Sequence, residues 1–152
     1  MKSWYLLGVL PILVGALFLV SNKNSLTGAF EGVGVELFYS PNCGCCVQYI
    51  SYLNSNHFDV SASKTNYVES VKEELNIPSE MWSCHTSKIG NYFVEGHVPV
   101  EAVQKLLDEQ PDIDGIALPG MPSGSPGMPG AKSHFTIYSV KDGKVVGVFI
   151  EI

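Results

Sequence analysis

The chain contains no arginine, and its nine lysines are outnumbered by fifteen acidic residues, which gives 152 residues a formal net charge of −6. Proteins that bind nucleic acid neutralise its phosphates with lysine and arginine clusters, and bidentate recognition of oxyanions such as phosphate or arsenate usually requires arginine. The composition therefore argues against nucleic acid as a partner and against an oxyanion substrate. An acidic surface weakly favours cations.

Cysteine is scarce and unevenly placed. Three of the four cysteines fall in the stretch "SPNCGCC", as Cys43, Cys45 and Cys46, and the fourth is Cys84. Four cysteines outside the cytoplasm normally suggest two disulfides. A bridge between adjacent Cys45 and Cys46 would be strained, one between Cys43 and Cys45 is hardly better, and one bridge to Cys84 leaves two thiols unpaired. The spacing thus disfavours a purely structural disulfide framework.

Charge is absent from residues 4–20, "WYLLGVLPILVGALFLV". This run is longer than the usual core of a signal peptide and at the short limit for a membrane-spanning helix. Because no Ala-x-Ala-like cleavage site follows, we favour an uncleaved membrane anchor in residues 1–21. The alternative is a cleaved signal peptide, which would make the protein secreted or periplasmic. Residues 22–32 then form a linker, and residues 33–152 form a domain outside the cytoplasm.

The remaining sequence predicts an α/β domain with elements in the order β-α-β-α-β-β-α, followed by a loop and a second β-hairpin. A strand that leads through a cysteine-rich turn into a helix is typical of the thioredoxin-like fold. We therefore expect a thioredoxin-like domain with an additional C-terminal hairpin, preceded by the N-terminal hydrophobic helix. An alternative stays open, in which the last hairpin supplies the antiparallel edge of the sheet and residues 79–118 are an insertion.

Two finer predictions concern the helices. The helix that begins near Cys43 has apolar residues at helical spacing, which predicts a buried stripe of Val47, Ile50 and Leu53. The second helix is preceded by a pattern that resembles a capping box, formed by Asn66 and Glu69.

The position of the cysteines at a helix N-terminus supports two kinds of chemistry. Partial positive charge and free N–H groups at this end lower thiol pKa values, and thiolate is both the form that attacks disulfides and the form that binds soft metals. Cys43 and Cys46 make the CxxC pair of a thiol-disulfide oxidoreductase. Cys45 has no role in such a pair, whereas a multi-sulfur metal site uses it.

The segment "WSCHT" places Cys84 beside His85. In a thioredoxin-like layout, the loop before the third strand lies against the N-terminus of the active helix, and redox enzymes usually have a cis-proline there. In this chain the nearest preceding proline is Pro78. A pair of candidate metal ligands therefore replaces the residue that shapes a disulfide-substrate groove.

Two methionines lie in residues 119–130, "PGMPSGSPGMPG", where "PGMP" occurs twice. Met121 and Met128 have almost no apolar neighbours in this loop, so core packing explains them poorly. Cysteine, methionine and histidine together select Cu(I), whereas zinc does not call for methionine. Calcium and magnesium are excluded by the lack of an oxygen-rich site. His97, before the third helix of the domain, fits a structural or capping role better, and is an additional candidate ligand.

The segments "SPNCGCC", "SCHT", "EGHVP", "LPGMPSGSPGMPG" and "VKDGKV" occur in this order in the small copper-resistance proteins of the CopG type, long known only as a domain of unknown function. The chain resembles this family over about residues 34–150. The resemblance implies a thioredoxin-like fold, copper handling outside the cytoplasm and a cysteine-bridged copper site. It implies that the four cysteines supply sulfur ligands and that His85 supplies a nitrogen ligand; the cysteines are Cys43, Cys45, Cys46 and Cys84. The two methionines of the loop, Met121 and Met128, would complete or guard the site.

Three hypotheses follow for function. The first is a membrane-anchored protein that binds copper as Cu(I), for sequestration, delivery to copper-trafficking partners, or redox buffering in copper tolerance. The second is a thiol-disulfide oxidoreductase that uses Cys43 and Cys46. The third, a structural zinc module, is weaker because the adjacent pairs Cys45–Cys46 and Cys84–His85 cannot all serve one tetrahedral ion easily. Whether the protein is an enzyme is left open, with metal binding favoured.

Overall fold

A computed structural model describes residues 30–152 of the chain. The predicted membrane anchor and most of the predicted linker lie outside this range. Within residues 30–152, none of the helices has the length and apolar character needed to cross a membrane.

The described part contains three α-helices, a short 3₁₀ helix at Ser79–Met81 and seven strands. The helices are α1 (Gly44–Ser55), α2 (Val68–Glu74) and α3 (Val100–Glu109). The strands are β1 (Gly34–Tyr39), β2 (Asp59–Lys64), β3 (His85–Ile89), β4 (Tyr92–Glu95), β5 (Gly115–Ala117), β6 (Thr136–Lys141) and β7 (Lys144–Glu151).

All seven strands form one sheet in the order β2-β1-β3-β4-β5-β6-β7. Strand β1 is parallel to β2 and antiparallel to β3, and β4 is antiparallel to β3, which is the thioredoxin-like arrangement. The predicted α/β fold with an additional C-terminal hairpin is therefore confirmed. Within residues 30–152 that hairpin, β6–β7, forms one edge of the sheet and β2 forms the other.

The alternative in which residues 79–118 form an insertion is wrong, because β3 and β4 occupy the middle of the sheet. They are nearly continuous buried strands, as expected for central positions. Strand β5 was not predicted from the sequence, because its three residues are too few for a recognisable pattern. This strand pairs in parallel with β4 and antiparallel with β6, so it joins the thioredoxin-like part to the added hairpin.

Helix α1 starts where it was expected, with Cys43 as its N-cap, but it buries a different face. Its buried residues are Cys46, Tyr49 and Leu53, while Val47 is 46% exposed. Both stripes satisfy helical spacing and share Leu53, so the periodicity alone could not separate them. Packing against the sheet selects the face with Tyr49, because the larger side chain buries more surface.

Helix α2 begins at Val68 without a side-chain cap, so the predicted capping box of Asn66 and Glu69 does not form. The Thr65 hydroxyl instead accepts a hydrogen bond from the N–H of Tyr67. The side chain that accepts a backbone hydrogen bond before α2 is therefore that of Thr65, one residue before the predicted cap residue Asn66.

Candidate metal centre

The register of the sheet brings the two cysteine segments together. Tyr39, the last residue of β1, pairs with His85, the first residue of β3. The "SPNCGCC" turn leaves β1 immediately after this pair, and Cys84 immediately precedes it. Four cysteine sulfurs consequently meet at one end of the sheet, and all four lie within 4.8 Å of one another.

Cys43 and Cys46 form a disulfide across the first turn of α1. The N-cap Cys43 Sγ also accepts a hydrogen bond from the Cys46 N–H, at 3.3 Å. Cys46 is fully buried and Cys43 is partly exposed, so an external reagent reaches the bridge at Cys43. Metal binding by these two sulfurs as thiolates requires prior reduction, and their assignment as ligands stays a prediction for the reduced protein.

Cys45 lies between the disulfide and two further soft donors. Its Sγ atom is 3.3 Å from Cys43 Sγ and 3.7 Å from Cys84 Sγ. It is also 3.9 Å from Met121 Sδ, and the Met121 side chain is 53% exposed. Cys45 and Cys84 are both free thiols. The structure therefore places two thiols and a thioether in contact, from segments far apart in the chain.

Cys84 also contacts two imidazoles. Its Sγ atom is 3.0 Å from His97 Nε2 and 3.4 Å from His85 Nδ1. These three residues form a second group with metal-binding geometry, and Cys84 belongs to both groups. The predicted ligand His85 thus lies at the site. His97, which the sequence favoured for a structural role, lies there as well.

The loop of residues 119–130 fixes the orientation of His97. Nδ1 of His97 lies 2.7 Å from the carbonyl oxygen of Pro126, which can only accept a hydrogen bond. The ring therefore carries its proton on Nδ1 and presents the Nε2 lone pair to Cys84. Burial lowers the pKa of His97, and that of His85 still further, so both rings are neutral near pH 7.

Tyr49 of α1 holds both imidazoles in place, a role that the sequence analysis missed. Its ring centroid lies 4.6 Å from that of His85 and 5.3 Å from that of His97. Its hydroxyl donates to the Val98 carbonyl at 2.8 Å. The available signal was its place three residues after Cys46, on the same helix face.

The chemistry of the donors suits a soft metal ion. Among residues 30–152, the fully buried His85 turns its Nδ1 atom toward Cys84 and leaves its Nε2 atom without a hydrogen-bond partner, which is a costly state for a buried nitrogen. Burial, and secondarily the neighbouring Cys45, raise the pKa of Cys84 to about 12. The metal-free Cys84 is therefore a neutral thiol, and binding a metal there must displace its proton.

The two "PGMP" repeats have different roles. The first carries Met121, which reaches the sulfur cluster. The second carries Pro126 and Gly127, which position His97 and pack against α1. In the described part of the chain, the sulfur of Met128 makes no contact with a cysteine like that of Met121, and its backbone N–H closes a turn on Ser125. Its predicted role as an additional ligand stays untested.

We expect Gly127→Ala to destabilise the protein more than Gly120→Ala. Both glycines have a left-handed backbone, with φ of +80° and +70°. A Cβ atom at Gly127 would lie 2.7 Å from the Tyr49 nitrogen, whereas one at Gly120 would meet nothing within 4 Å. The backbone conformation should cost each variant about 1 kcal/mol, and the clash should cost Gly127→Ala about 1–3 kcal/mol more. Urea unfolding measures both, and equal losses would contradict the close packing of this loop on α1.

An open cleft of about 470 Å³ gives access to the cluster from solvent. Its wall includes Cys43, Cys45, Cys84 and Met121, with Trp82 on one side. The thiols are thus reached from outside, whereas the imidazoles lie behind them.

Comparison with known proteins identifies a family model and two solved structures that this chain matches. Residues 81–128 match the family model described as "Protein of unknown function, DUF411", a stretch that contains Cys84, both histidines of the site and both methionines of the loop. Two solved structures named "Copper resistance protein copG", forms 2 and 1, have TM-scores of 0.74 and 0.73. Each is 37% identical in sequence and covers 80% of this chain, and the match spans 99% and 98% of the respective structures.

The chain belongs to the CopG family of copper-resistance proteins. The resemblance seen in the sequence is thereby confirmed. No match was found among curated proteins. The CopG structures each cover 80% of this chain, and the family model covers the part of the site from Cys84 to Met128.

Proposed function

We propose that this protein binds copper as Cu(I) through clustered cysteine thiolates, assisted by histidine and methionine, and serves copper tolerance. The observation that carries the proposal is the shared position of Cys84, which contacts a sulfur group on one side and two imidazoles on the other. The likeness to copper-resistance proteins supports copper as the metal.

The donor set favours Cu(I) over zinc. Thiolate, thioether and neutral imidazole are the ligands that Cu(I) prefers. A structural zinc site would need four ligands in a closed tetrahedron, whereas this site has a thioether at its exposed side, from Met121. Two ligand groups that share one thiolate also suit more than one metal ion, since a thiolate can bridge two soft ions.

The oxidation state of the cysteines sets which residues can hold copper. With the Cys43–Cys46 disulfide formed, the available donors are Cys45, Cys84, the two imidazoles and Met121. Reduction adds two thiolates at the N-terminus of α1, where the helix dipole favours negative charge. The protein then has a larger capacity for Cu(I), suited to sequestration, delivery or redox buffering.

The proposed location is outside the cytoplasm, on a membrane to which the N-terminal segment anchors the domain. This part of the proposal rests on the uncharged residues 4–20. Copper-trafficking proteins are the proposed partners, and they would approach the cleft, where Met121 is the most exposed of the candidate ligands at the sulfur cluster.

A second candidate function, thiol-disulfide exchange, is favoured by the Cys43–Cys46 disulfide itself. A thiolate of a dithiol partner would attack the accessible Cys43 Sγ, and Cys46 would leave as a thiolate. The partner's second thiol would then attack the mixed disulfide and release Cys43, so that the partner is oxidised and this protein reduced.

Cys45→Ser separates the two functions. We expect the variant to bind Cu(I) at least about tenfold more weakly, because Cys45 lies between three other sulfur atoms and its loss removes a thiolate from the cluster. A competing Cu(I) chelator in anaerobic titration measures this affinity. If the protein is a disulfide catalyst, Cys45→Ser will retain insulin reduction while Cys43→Ser loses it. Unchanged copper affinity together with retained reductase activity would favour the second function.

A further inference from the structure

Two charged side chains are buried beside the sulfur cluster without being candidate ligands. Lys72 of α2 is 2% exposed and Glu95 of β4 is 0% exposed, and Lys72 Nζ lies 2.6 Å from Glu95 Oε1. Burying two charges is costly, and such a pair often adds little net stability compared with apolar residues. The pair therefore calls for a role besides stability.

Both partners of the ion pair hold the same residue. Glu95 Oε1 accepts a hydrogen bond from the Ser83 N–H at 2.5 Å. Lys72 Nζ donates to the Ser83 carbonyl oxygen at 2.6 Å. The two backbone groups of Ser83 are thus held by opposite charges, and Ser83 directly precedes Cys84. Charge-assisted hydrogen bonds are the stronger kind, so this backbone is tightly restrained.

The same residue also holds the segment that carries Met121. The Ser83 hydroxyl donates to the carbonyl oxygen of Gly120, and Gly120 directly precedes Met121. Gly96 allows Ser83 to approach β4 closely, because a Cβ atom at Gly96 would lie 2.9 Å from Ser83 Cβ. Ser83 therefore joins two soft donors from separate loops to one buried ion pair.

We propose that the Lys72–Glu95 ion pair is a positioning element for copper binding, which places Cys84 and Met121 against Cys45. The inference rests on the proposed Cu(I) function and identifies residues that control it without touching the metal. The turn before β3 has no proline nearer than Pro78, so the ion pair restrains a backbone that no proline ring restrains.

The test uses the full-length chain with the double substitution Lys72→Met and Glu95→Gln. Methionine approximates the lysine stem, and glutamine keeps an acceptor for the Ser83 N–H, so no buried charge is left unpaired. The matched control is Lys105→Met with Glu109→Gln, which removes an exposed ion pair of the same residue types on α3. We expect the site variant to bind Cu(I) about 10- to 100-fold more weakly, as for residues that orient metal ligands, and the control to bind as wild type.

A second readout needs no copper. In a Cys43→Ser, Cys46→Ser background only Cys45 and Cys84 remain as thiols, 3.7 Å apart. With diamide as oxidant, we expect their disulfide to form on the order of tenfold more slowly when the ion pair is removed, because proximity sets the rate. A purely stabilising role would lower the unfolding midpoint and leave this rate unchanged.

The outcomes separate this inference from the proposed function. Unchanged copper affinity and an unchanged cross-linking rate would overturn the positioning role. Failure of the wild type to bind Cu(I) would overturn the proposed function, while the cross-linking rate would still decide the positioning role. Absence of the cross-link even with the ion pair intact would contradict the placement on which the inference rests.

If the double variant does not fold, Ser83→Ala provides the test, since it keeps the ion pair and removes the hydroxyl that holds Gly120, which also lies 4.0 Å from Cys84 Sγ. We expect this variant to lose the Cu(I) affinity that Met121 contributes, so that adding Met121→Ala to it weakens binding no further. Fully additive losses would overturn the link between Ser83 and Met121.

Discussion

Replacing Cys84 with serine is expected to lower the affinity for Cu(I) by more than about 100-fold, a larger loss than for a residue that only orients a ligand. Cys84 Sγ contacts Cys45 Sγ, His97 Nε2 and His85 Nδ1, so its removal takes a ligand from both metal-binding groups at once. Anaerobic titration of the full-length protein against a Cu(I) chelator measures the change.

Cys45→Ser is the matched comparison, since Cys45 belongs to the sulfur group alone. We expect Cys84→Ser to lose more affinity than Cys45→Ser, with circular dichroism showing that both variants remain folded. Equal losses would mean that the imidazoles take no part in binding. An unchanged Cu(I) affinity in Cys84→Ser would contradict the proposed function, which depends on Cys84 as a shared ligand.

Reduction of the Cys43–Cys46 disulfide is expected to raise the Cu(I) stoichiometry about twofold, because the number of available thiolates doubles from two to four and Cu(I) selects thiolate ligands. The measurement compares oxidised protein with protein reduced by a phosphine that is removed anaerobically before copper is added, so that no competing soft ligand stays in solution. Copper bound per chain is then determined after removal of excess metal.

The variant Cys43→Ser, Cys46→Ser provides the control, because its copper capacity should equal that of the oxidised wild type with or without the phosphine. A wild-type stoichiometry that does not respond to reduction would show that these two sulfurs are not ligands. It would then leave Cys45, Cys84 and the imidazoles as the binding residues.

Local sequence patterns predicted much of the fold and the site. The start of α1 at the cysteine turn, the hairpin between β3 and β4 and the added C-terminal hairpin are all present. Each depends on neighbours in sequence, such as a turn pair or a change from strand to helix periodicity. The meeting of Cys84 with the "SPNCGCC" turn was also expected, because it follows from the thioredoxin-like strand order.

The residues that were missed or underestimated depend on contacts between distant segments. Tyr49 was passed over because two apolar stripes of α1 fit the same periodicity. Lys72 and Glu95 were not singled out in the sequence, although each lies at a position that the fold buries. A charged side chain is normally exposed. The burial of Lys72 and Glu95 is explained only by their ion pair, which joins two residues 23 positions apart in the sequence.

The sequence by itself determined the kind of chemistry, because the types of donor atom and their place at a helix N-terminus are local properties of the chain. Soft sulfur and imidazole donors, without arginine or an oxygen-rich site, point to a soft metal whatever the fold. The tertiary structure decided which donors share a site. Pairing of Tyr39 with His85 sets the distance between Cys45 and Cys84, and the contact of Pro126 with His97 adds a candidate ligand. Such distances are fixed by strand register and packing, which no single segment encodes.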